Sequence, residues 1–365
     1  MSVDYQDPDS YQLQLDKKLR NFYQIMADAG VQIDSATVHR SPAMGFRMRA
    51  EFRLWHEQGR VNYAMNRPGE KRPYIIQDFP IGAPLINQLM PPLLAALNDS
   101  ETLSRKCFSV EFLTTSTGEA LITLIYHRPL DEQWEVEART LQAKLNAAII
   151  GRSRKQKLIL DKDYVTEVLQ VGDRQYSYQQ VESGFTQPNA VINSQMLNWA
   201  SDCLSGSNNR DLIELYCGNG NFTVPLARHF NAVLATEISK VSVASALTNF
   251  AANQINNIEV VRLSAEELTQ ALNKQRPFRR LAHIDMDSYD FSTVLVDPPR
   301  AGLDADTEKL VCRFDRILYI SCNPNTLAQN LAQITKTHHI EAVAVFDQFP
   351  WTAHLESGVL LSRSD

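Results

Sequence analysis

Residues 210–230 read RDLIELYCGNGNFTVPLARHF. The apolar run from Leu212 to Leu215 gives way to a glycine turn and then to a stretch of helical composition. Strand, glycine turn and helix in that order open a βαβ unit, and several such units in a row specify a parallel sheet covered by helices on both faces. The rhythm continues downstream through AVLATEI (232–238), IEVVRLS (258–264), STVLVD (292–297), RILYIS (316–321) and EAVAVF (341–346), with SGVLLSR (357–363) as a last strand. The helix after AVLATEI is expected to bury Val243, Leu247, Phe250 and Ala251. The reading is α/β, a Rossmann-like doubly wound domain.

Upstream the rhythm is different. Residues 10–30 have the spacing of an amphipathic helix, with Leu13, Leu15, Leu19 and Phe22 on one stripe and Gly30 as its stop. FRMRAEFRLWH (46–56), VEFLTTST (110–117), ALITLIYHR (120–128) and KLNAAIIGRSR (144–154) are strand-like, whereas PLINQLMPPLLAALN (84–98) and LDEQWEVEARTLQAKLN (130–146) suit helices. Strands and helices without a βαβ rhythm suggest an N-terminal α+β domain. The boundary falls between about 165 and 190 and is drawn at 175, giving domains 1–175 and 176–365. There is no internal repeat.

Composition narrows the function classes. The chain has 365 residues, 44% of them apolar and 21% charged, as in ordinary globular proteins. Its first residues, MSVDYQDPDS, lack the basic and apolar segments of a secretory signal. No apolar run approaches the roughly 20 residues that span a bilayer. A cytoplasmic protein without membrane attachment is expected. The five cysteines are scattered without C-x-x-C spacing, and H-E-x-x-H is absent. Neither a metal nor an iron–sulfur cluster is expected. A net charge of −6 argues against coating nucleic acid by bulk attraction. Local basic patches remain: Arg47, Arg49 and Arg53 alternate with Glu51, and GRSRKQK (151–157) adds Arg152, Arg154, Lys155 and Lys157. Solvated surface charge is the plainer account of both.

In an open parallel sheet, ligands bind at the carboxyl ends of the strands. Gly218-x-Gly220 lies just past the first such strand, and Glu237 ends the next, where an acid commonly takes ribose hydroxyls. A turn of two glycines is weak evidence alone. The third glycine that packs a helix beneath a pyrophosphate is missing, since Asn221-Phe222-Thr223 stands there. S-Adenosylmethionine, which has no phosphate, therefore fits better than a dinucleotide. Further along, Asp297-Pro298-Pro299-Arg300 ends one strand and Ser321-Cys322-Asn323-Pro324 the next. Prolines at a strand exit fix the backbone and remove donors, which either terminates the strand or holds Asp297 and Arg300 at the crevice. Cys322 could be buried filler, a metal ligand or a nucleophile, and the lack of spaced partners disfavours the ligand.

The set FTQPN (185–189), ELYCGNGNF (214–222), VDPPRAGLD (296–304), ISCNP (320–324) and HLESGVLL (354–361) resembles the RNA 5-methyluridine methyltransferases. SPAMGFRMRAEFRLWH (41–56) and DFPIGAPLINQLM (78–90) look like their tRNA (uracil-5-)-methyltransferase branch, over a span from about residue 10 to the C-terminus. The resemblance implies a class I S-adenosylmethionine-dependent domain preceded by an RNA-binding domain, acting on the T-loop uridine (position 54) of tRNA and on the similar loop of transfer-messenger RNA. It implies Cys322 as the thiolate that attacks uracil C6 and Glu356 as the base that removes the C5 proton, with His354 a rival. Tyr216, Gly218, Asn221, Glu237 and Asp297 would then contact the cofactor, and Gln187 both cofactor and uridine. Arg300 would join Asp297 in positioning the base, and Arg49, Arg53 and Phe108 would face RNA. It implies no obligate protein partner. A dinucleotide-dependent oxidoreductase and a non-catalytic RNA-binding module are the readings from other classes; the first needs nicotinamide and neither needs Cys322.

Overall fold

The structure is a computed structural model that describes residues 7–66, 69, 72–207 and 210–364. Helix α1 (Pro8–Asp28) and strand β1 (Thr37–His39) come first. They are followed by β2 (Arg49–Glu57), β3 (Arg60–Met65), β4 (Tyr74–Ile75), α2 (Pro84–Asp99), α3 (Glu101–Ser104), β5 (Cys107–Thr114), β6 (Ala120–Tyr126), α4 (Glu132–Leu145), β7 (Ala148–Ser153) and β8 (Gln156–Ile159). Strands β9 (Tyr164–Val171) and β10 (Arg174–Val181) form a two-stranded sheet.

Strands and helices then alternate. The elements are α5 (Ala190–Cys203), β11 (Asp211–Leu215), α6 (Thr223–Leu226), β12 (Val233–Thr236), α7 (Lys240–Ala252), β13 (Ile258–Val261), α8 (Ala265–Leu272), β14 (Phe291–Val296), α9 (Ala305–Val311), β15 (Arg316–Ser321) and α10 (Pro324–Ile334), and β16 (His338–Phe346) and β17 (Glu356–Arg363) complete the chain.

Two compact units result. One comprises Met1–Ser41, Leu169–Tyr178 and Val191–Asp365; the other comprises Pro42–Val168 and Gln179–Ala190. This differs from a single cut at residue 175. The reason lies in α1, whose Phe22 and Met26, with Val31 beyond it, are buried in the same core as Ile213, Val294 and Leu331. Burying each such side chain contributes about 1.5–3 kcal/mol. Strand β1 also pairs in parallel with β16, Thr37 opposite Ala344. An amphipathic stripe says that a helix is covered, not by which core. Leu13, placed on the stripe by spacing, is exposed, and the buried face runs through Tyr11, Leu15, Lys18, Phe22 and Met26.

The first unit is built on an eight-stranded sheet in the order β1-β16-β17-β15-β14-β11-β12-β13. β11 pairs in parallel with β12 on one side and β14 on the other. That is where the strand order reverses, the position at which a crevice opens in such sheets. Every residue of β11, DLIEL, is buried, as expected of a central strand covered on both faces. The register Leu215 to Thr236, Leu215 to Val296 and Val296 to Tyr319 aligns the carboxyl ends of four strands along one edge. β17 runs antiparallel to β15, with Ser357 opposite Ser321. Its first residue, Glu356, therefore starts at the edge where β15 ends. In α7 the buried face is Ser245, Ala246, Asn249 and Phe250 rather than the expected stripe, and Leu247 and Ala251 are exposed. Asn249 is buried because its Nδ2 donates to the carbonyl of Asn219 in the glycine turn (2.9 Å).

The second unit carries a seven-stranded sheet, β4-β3-β2-β5-β6-β7-β8, antiparallel except for β6 with β7. Phe52 and Phe112 on its inner face pack with Ile86 and Leu93 of α2 and Trp134 of α4. Among the described residues no helix is long and apolar enough to cross a membrane, and no group of three or more His, Cys, Asp or Glu side chains is placed to hold a metal ion.

Candidate active site

The glycine turn is wound tightly by left-handed residues. Tyr216, Gly218 and Gly220 have φ of 63°, 58° and 81°. At Gly220 a Cβ would lie 2.7 Å from Cε1 of Phe250, so that position needs glycine for space as well as for conformation. Glu237 crosses to the turn: one carboxylate oxygen accepts from the Gly218 amide (3.1 Å) and the other from the Ser239 amide (2.7 Å). The next side chain, Ile238, is 65% exposed at the end of β12, an apolar surface beside a carboxylate that suits an adenosine. Tyr216 is half-buried, and burial and the charge of Asp304 raise its phenol. Asn221 is held through both its side chain and its backbone. Its amide exchanges two hydrogen bonds of 2.9 Å with Asn193 and its carbonyl accepts from the Tyr178 hydroxyl (3.0 Å). The bonds to Asn193 tie the side chain to α5 and fix its orientation beside the glycine turn.

The chemical groups gather further along the same edge. Asn323 caps α10 with Pro324 in the first turn, its Oδ1 accepting from the Asn325 amide (3.1 Å). Ser321 Oγ accepts from the Asn323 amide (3.2 Å), which fixes the link that carries Cys322. Asn323 Nδ2 and Thr326 Oγ1 both donate to the carbonyl of Arg300, at 2.9 and 3.2 Å, so the proline loop after β14 is tied to the cysteine turn. Arg300 reaches His354 Nε2 at 3.4 Å. Asp297, Cys322, Arg300, His354 and Glu356 thus come together around the ends of β14, β15 and β17.

Electrostatics single out three acids here. Burial pushes Glu356 up to about 8, with Asp297 adding to the shift and Arg300 opposing it. Burial raises Asp297 to about 7. Glu214, inside β11, is raised to about 8 by burial, against the pull of Thr223. The Cys322 thiol is pushed up to about 11 by burial first and then by Glu356 and Asp297, while Arg300 lowers it. Cys322 lies just before the Asn323 cap of α10, where a helix N-terminus favours the thiolate, but burial and the two carboxyls outweigh it. Free Cys322 holds its proton at neutral pH.

The remaining expected residues belong to the second unit, and they divide. Arg49 is spent internally, donating to the carbonyls of Gly184 and Glu182 (both 2.8 Å) and to Glu111 (3.1 Å). Arg47 lies before β2, is held off the alternating strand by bridges to Gly82 and Asn189, and donates from Nε to the Arg49 carbonyl (2.9 Å). Arg53 is exposed and sits over the Trp55 ring at 5.3 Å. It lines an open cleft of about 500 Å³ with Glu51, Met65, Asn66, Phe108 and His127. Phe108 is not core: it stacks on His127 with ring centroids 3.8 Å apart. Gln187 lies in the segment before α5, half-buried.

A family model described as tRNA (Uracil-5-)-methyltransferase matches residues 10–364. The chain belongs to that family. A tRNA/tmRNA (uracil-C(5))-methyltransferase of Ectopseudomonas mendocina is 56% identical over 364 residues, covering 100% of both chains. One from Teredinibacter turnerae is 58% identical over 327 residues, 89% of this chain and 90% of the relative. Among solved structures, the Pyrococcus abyssi tRNA (uracil-54, C5)-methyltransferase in complex with S-adenosyl-L-homocysteine superposes with a TM-score of 0.73. That likeness spans 96% of this chain and 82% of the other at 20% identity, and it shows a shared fold. As a member of the tRNA (uracil-5-)-methyltransferase family the chain is an S-adenosylmethionine-dependent enzyme.

Two groups, one in each unit, escape a reading by motif. Glu214 is a lone acid in an apolar strand, a pattern visible in DLIEL but easily passed over as a strand-edge charge. His127 pairs with Phe108 only because β5 and β6 are neighbours, which no local signal announces.

Proposed function

We propose that this enzyme methylates C5 of the T-loop uridine, position 54, of tRNA and the equivalent uridine of transfer-messenger RNA, through a covalent bond between Cys322 Sγ and uracil C6. The observation that carries the reading is the register of β15 with β17, Ser321 opposite Ser357, which sets Cys322 and Glu356 at the ends of neighbouring strands. The names of the full-length relatives support the choice of RNA.

Uracil C5 is a weak nucleophile. As the base engages, the Cys322 proton passes to the neighbouring Asp297 carboxylate, and the thiolate adds to C6. The C5–C6 π electrons move toward O4, giving an enolate whose charge Arg300 is placed to offset. Bound S-adenosylmethionine supplies the electrophilic sulfonium methyl that C5 then accepts. Glu356, once ionised, removes the C5 proton. The electrons of the broken C–H bond re-form C5=C6 and expel Cys322 as thiolate, which takes its proton back from Asp297. A carboxyl raised to about 8 is a stronger base than an ordinary one and titrates near working pH, where general bases act best. His354 is the weaker candidate, being exposed and turned toward Arg300.

A uridine stacked inside a loop cannot meet thiol and methyl together, so the base leaves its stack before reaction. Arg53 and the Phe108–His127 pair offer a cation and a stacking surface for the RNA, and Gln187 is assigned to cofactor and uridine. The test is Glu356→Gln incubated with a T-arm RNA and S-adenosylmethionine, followed by denaturing separation and mass spectrometry. A protein–RNA adduct carrying methylated uridine is expected, and none with Cys322→Ala. No adduct, or one at a base other than uracil, overturns the mechanism.

A further inference from the structure

Helix α1 is 329 positions away in sequence from the connection that delivers Glu356, yet the two are joined by a buried ion pair. Lys18 Nζ donates to Asp347 Oδ1 at 2.6 Å and to the Phe349 carbonyl at 2.9 Å, and Gln14 Nε2 donates to the other oxygen of Asp347 at 2.9 Å. The side chains of Lys18 and Asp347 are 5% and 0% exposed. Asp347 begins the segment that links β16 to β17 and ends at Leu355, directly before Glu356. Within this segment Trp351 is held at φ 67°, and its ring meets Tyr11 of α1 edge-on at 5.9 Å. Thr352 Oγ1 donates to the Phe349 carbonyl (2.8 Å) and accepts from the His354 amide (3.1 Å). Three side chains of α1 thus act on the one connection.

A left-handed residue that is not glycine persists only where its surroundings over-determine it. A buried ion pair is weak evidence for stability, because desolvation consumes most of its attraction; fixing one arrangement is its better-attested use. The same connection carries two side chains of the reaction site, His354 and Glu356. The charge of Lys18 also reaches it, being one of the influences that lower His354.

We infer that Lys18, with Gln14 and Tyr11, is a positioning residue for proton abstraction: α1 clamps the Asp347–Leu355 connection so that Glu356 meets the C5 proton. The inference rests on the proposed role of Glu356. It separates the steps of the reaction. Adduct formation needs Cys322 and a proton acceptor, assigned to Asp297, whereas adduct breakdown needs Glu356 in place.

The experiment uses the full-length enzyme with T-arm RNA, comparing the parent, Glu356→Gln, Gln14→Met and the double variant Lys18→Met/Asp347→Leu. The double variant leaves no unpaired charge in the core, and Gln14→Met buries none. A misplaced catalytic group costs up to about 100-fold, so the double variant is expected to lose about 10–100-fold in kcat, with KM for RNA and cofactor within about twofold. The denaturant-resistant adduct should rise above the parent level as turnover falls, and Gln14→Met should shift both readouts the same way by less. General loss of structure would instead lower adduct and turnover together, and that result overturns the inference. Parent-like turnover and adduct in the double variant overturns it too. Absence of adduct in Glu356→Gln overturns the role of Glu356 and the inference with it, whereas adduct there but none above parent in the double variant overturns the inference alone.

Discussion

Glu237 and Glu356 are the same residue type on the same edge of one sheet, and the fold makes different chemistry of them. Glu237 follows β12 and is half-exposed, with both oxygens accepting backbone amides from Gly218 and Ser239. Two amide donors aim the carboxylate, which suits an anchor for a polar ligand. Glu356 opens β17 at 5% exposure, where burial and Asp297 push its carboxyl up to about 8. A buried acid with a raised pKa suits proton transfer. The difference comes from strand direction: β12 runs out of the sheet at this edge into a turn rich in amides, whereas β17 enters it between β15 and β16.

The same isosteric change at both positions tests this contrast. Glu356→Gln is expected to cost about 10²–10⁴-fold in turnover, the usual worth of a positioned base, with KM for S-adenosylmethionine unchanged in steady-state methyl transfer. An equal rise in that KM would mean that Glu356 binds the cofactor and that the two acids share one task. Glu237→Gln turns an NH₂ toward a backbone amide. Hydrogen bonds to charged groups are worth about 1.5–3 kcal/mol, so KM for S-adenosylmethionine should rise roughly 10–100-fold, with kcat within about threefold. Equilibrium binding of S-adenosylhomocysteine checks the same point without turnover. A large loss of kcat at saturating cofactor would erase the distinction between anchor and base.

How far the sequence speaks depends on whether a signal is local. Gly218-x-Gly220, Asp297-Pro298-Pro299 and Cys322-Asn323-Pro324 are legible because a strand leaving a sheet must turn, and glycine, proline and a helix cap are the residues that turn it. Their shared edge follows from parallel strands. What the sequence left open depends on partners far along the chain. The stripe of α1 shows that it packs somewhere, but not that Lys18 meets Asp347. Arg49 reads as surface charge until the carbonyls of Glu182 and Gly184 arrive beside it. Nothing local in Asn221 announces that Asn193 pairs with both ends of its amide. In each case a polar side chain satisfies a distant group, and pairings of that kind follow the tertiary fold rather than local composition.

The smallest effect concerns stability and follows from the pKa of Glu356. Burial pushes its carboxyl up to about 8 in the folded protein, against an ordinary value of 4.5. Between those values the folded state binds the extra proton, so the stability that this neutral acid contributes is full below pH 4.5 and is lost as pH rises through about 8. Glutamine cannot ionise, and Glu356→Gln escapes that loss. Variant and parent should therefore melt at nearly the same temperature at pH 5 and separate in favour of the variant by pH 9, by about 1–3 kcal/mol or a few degrees. The difference between the two melting curves reports Glu356 together with its coupling to Asp297. Parallel curves from pH 5 to 9 would mean that Glu356 ionises in the fold as readily as in the unfolded chain. Glu356 would then lack the raised pKa that suits a general base, and His354, on the same connection, would be the next acceptor to substitute.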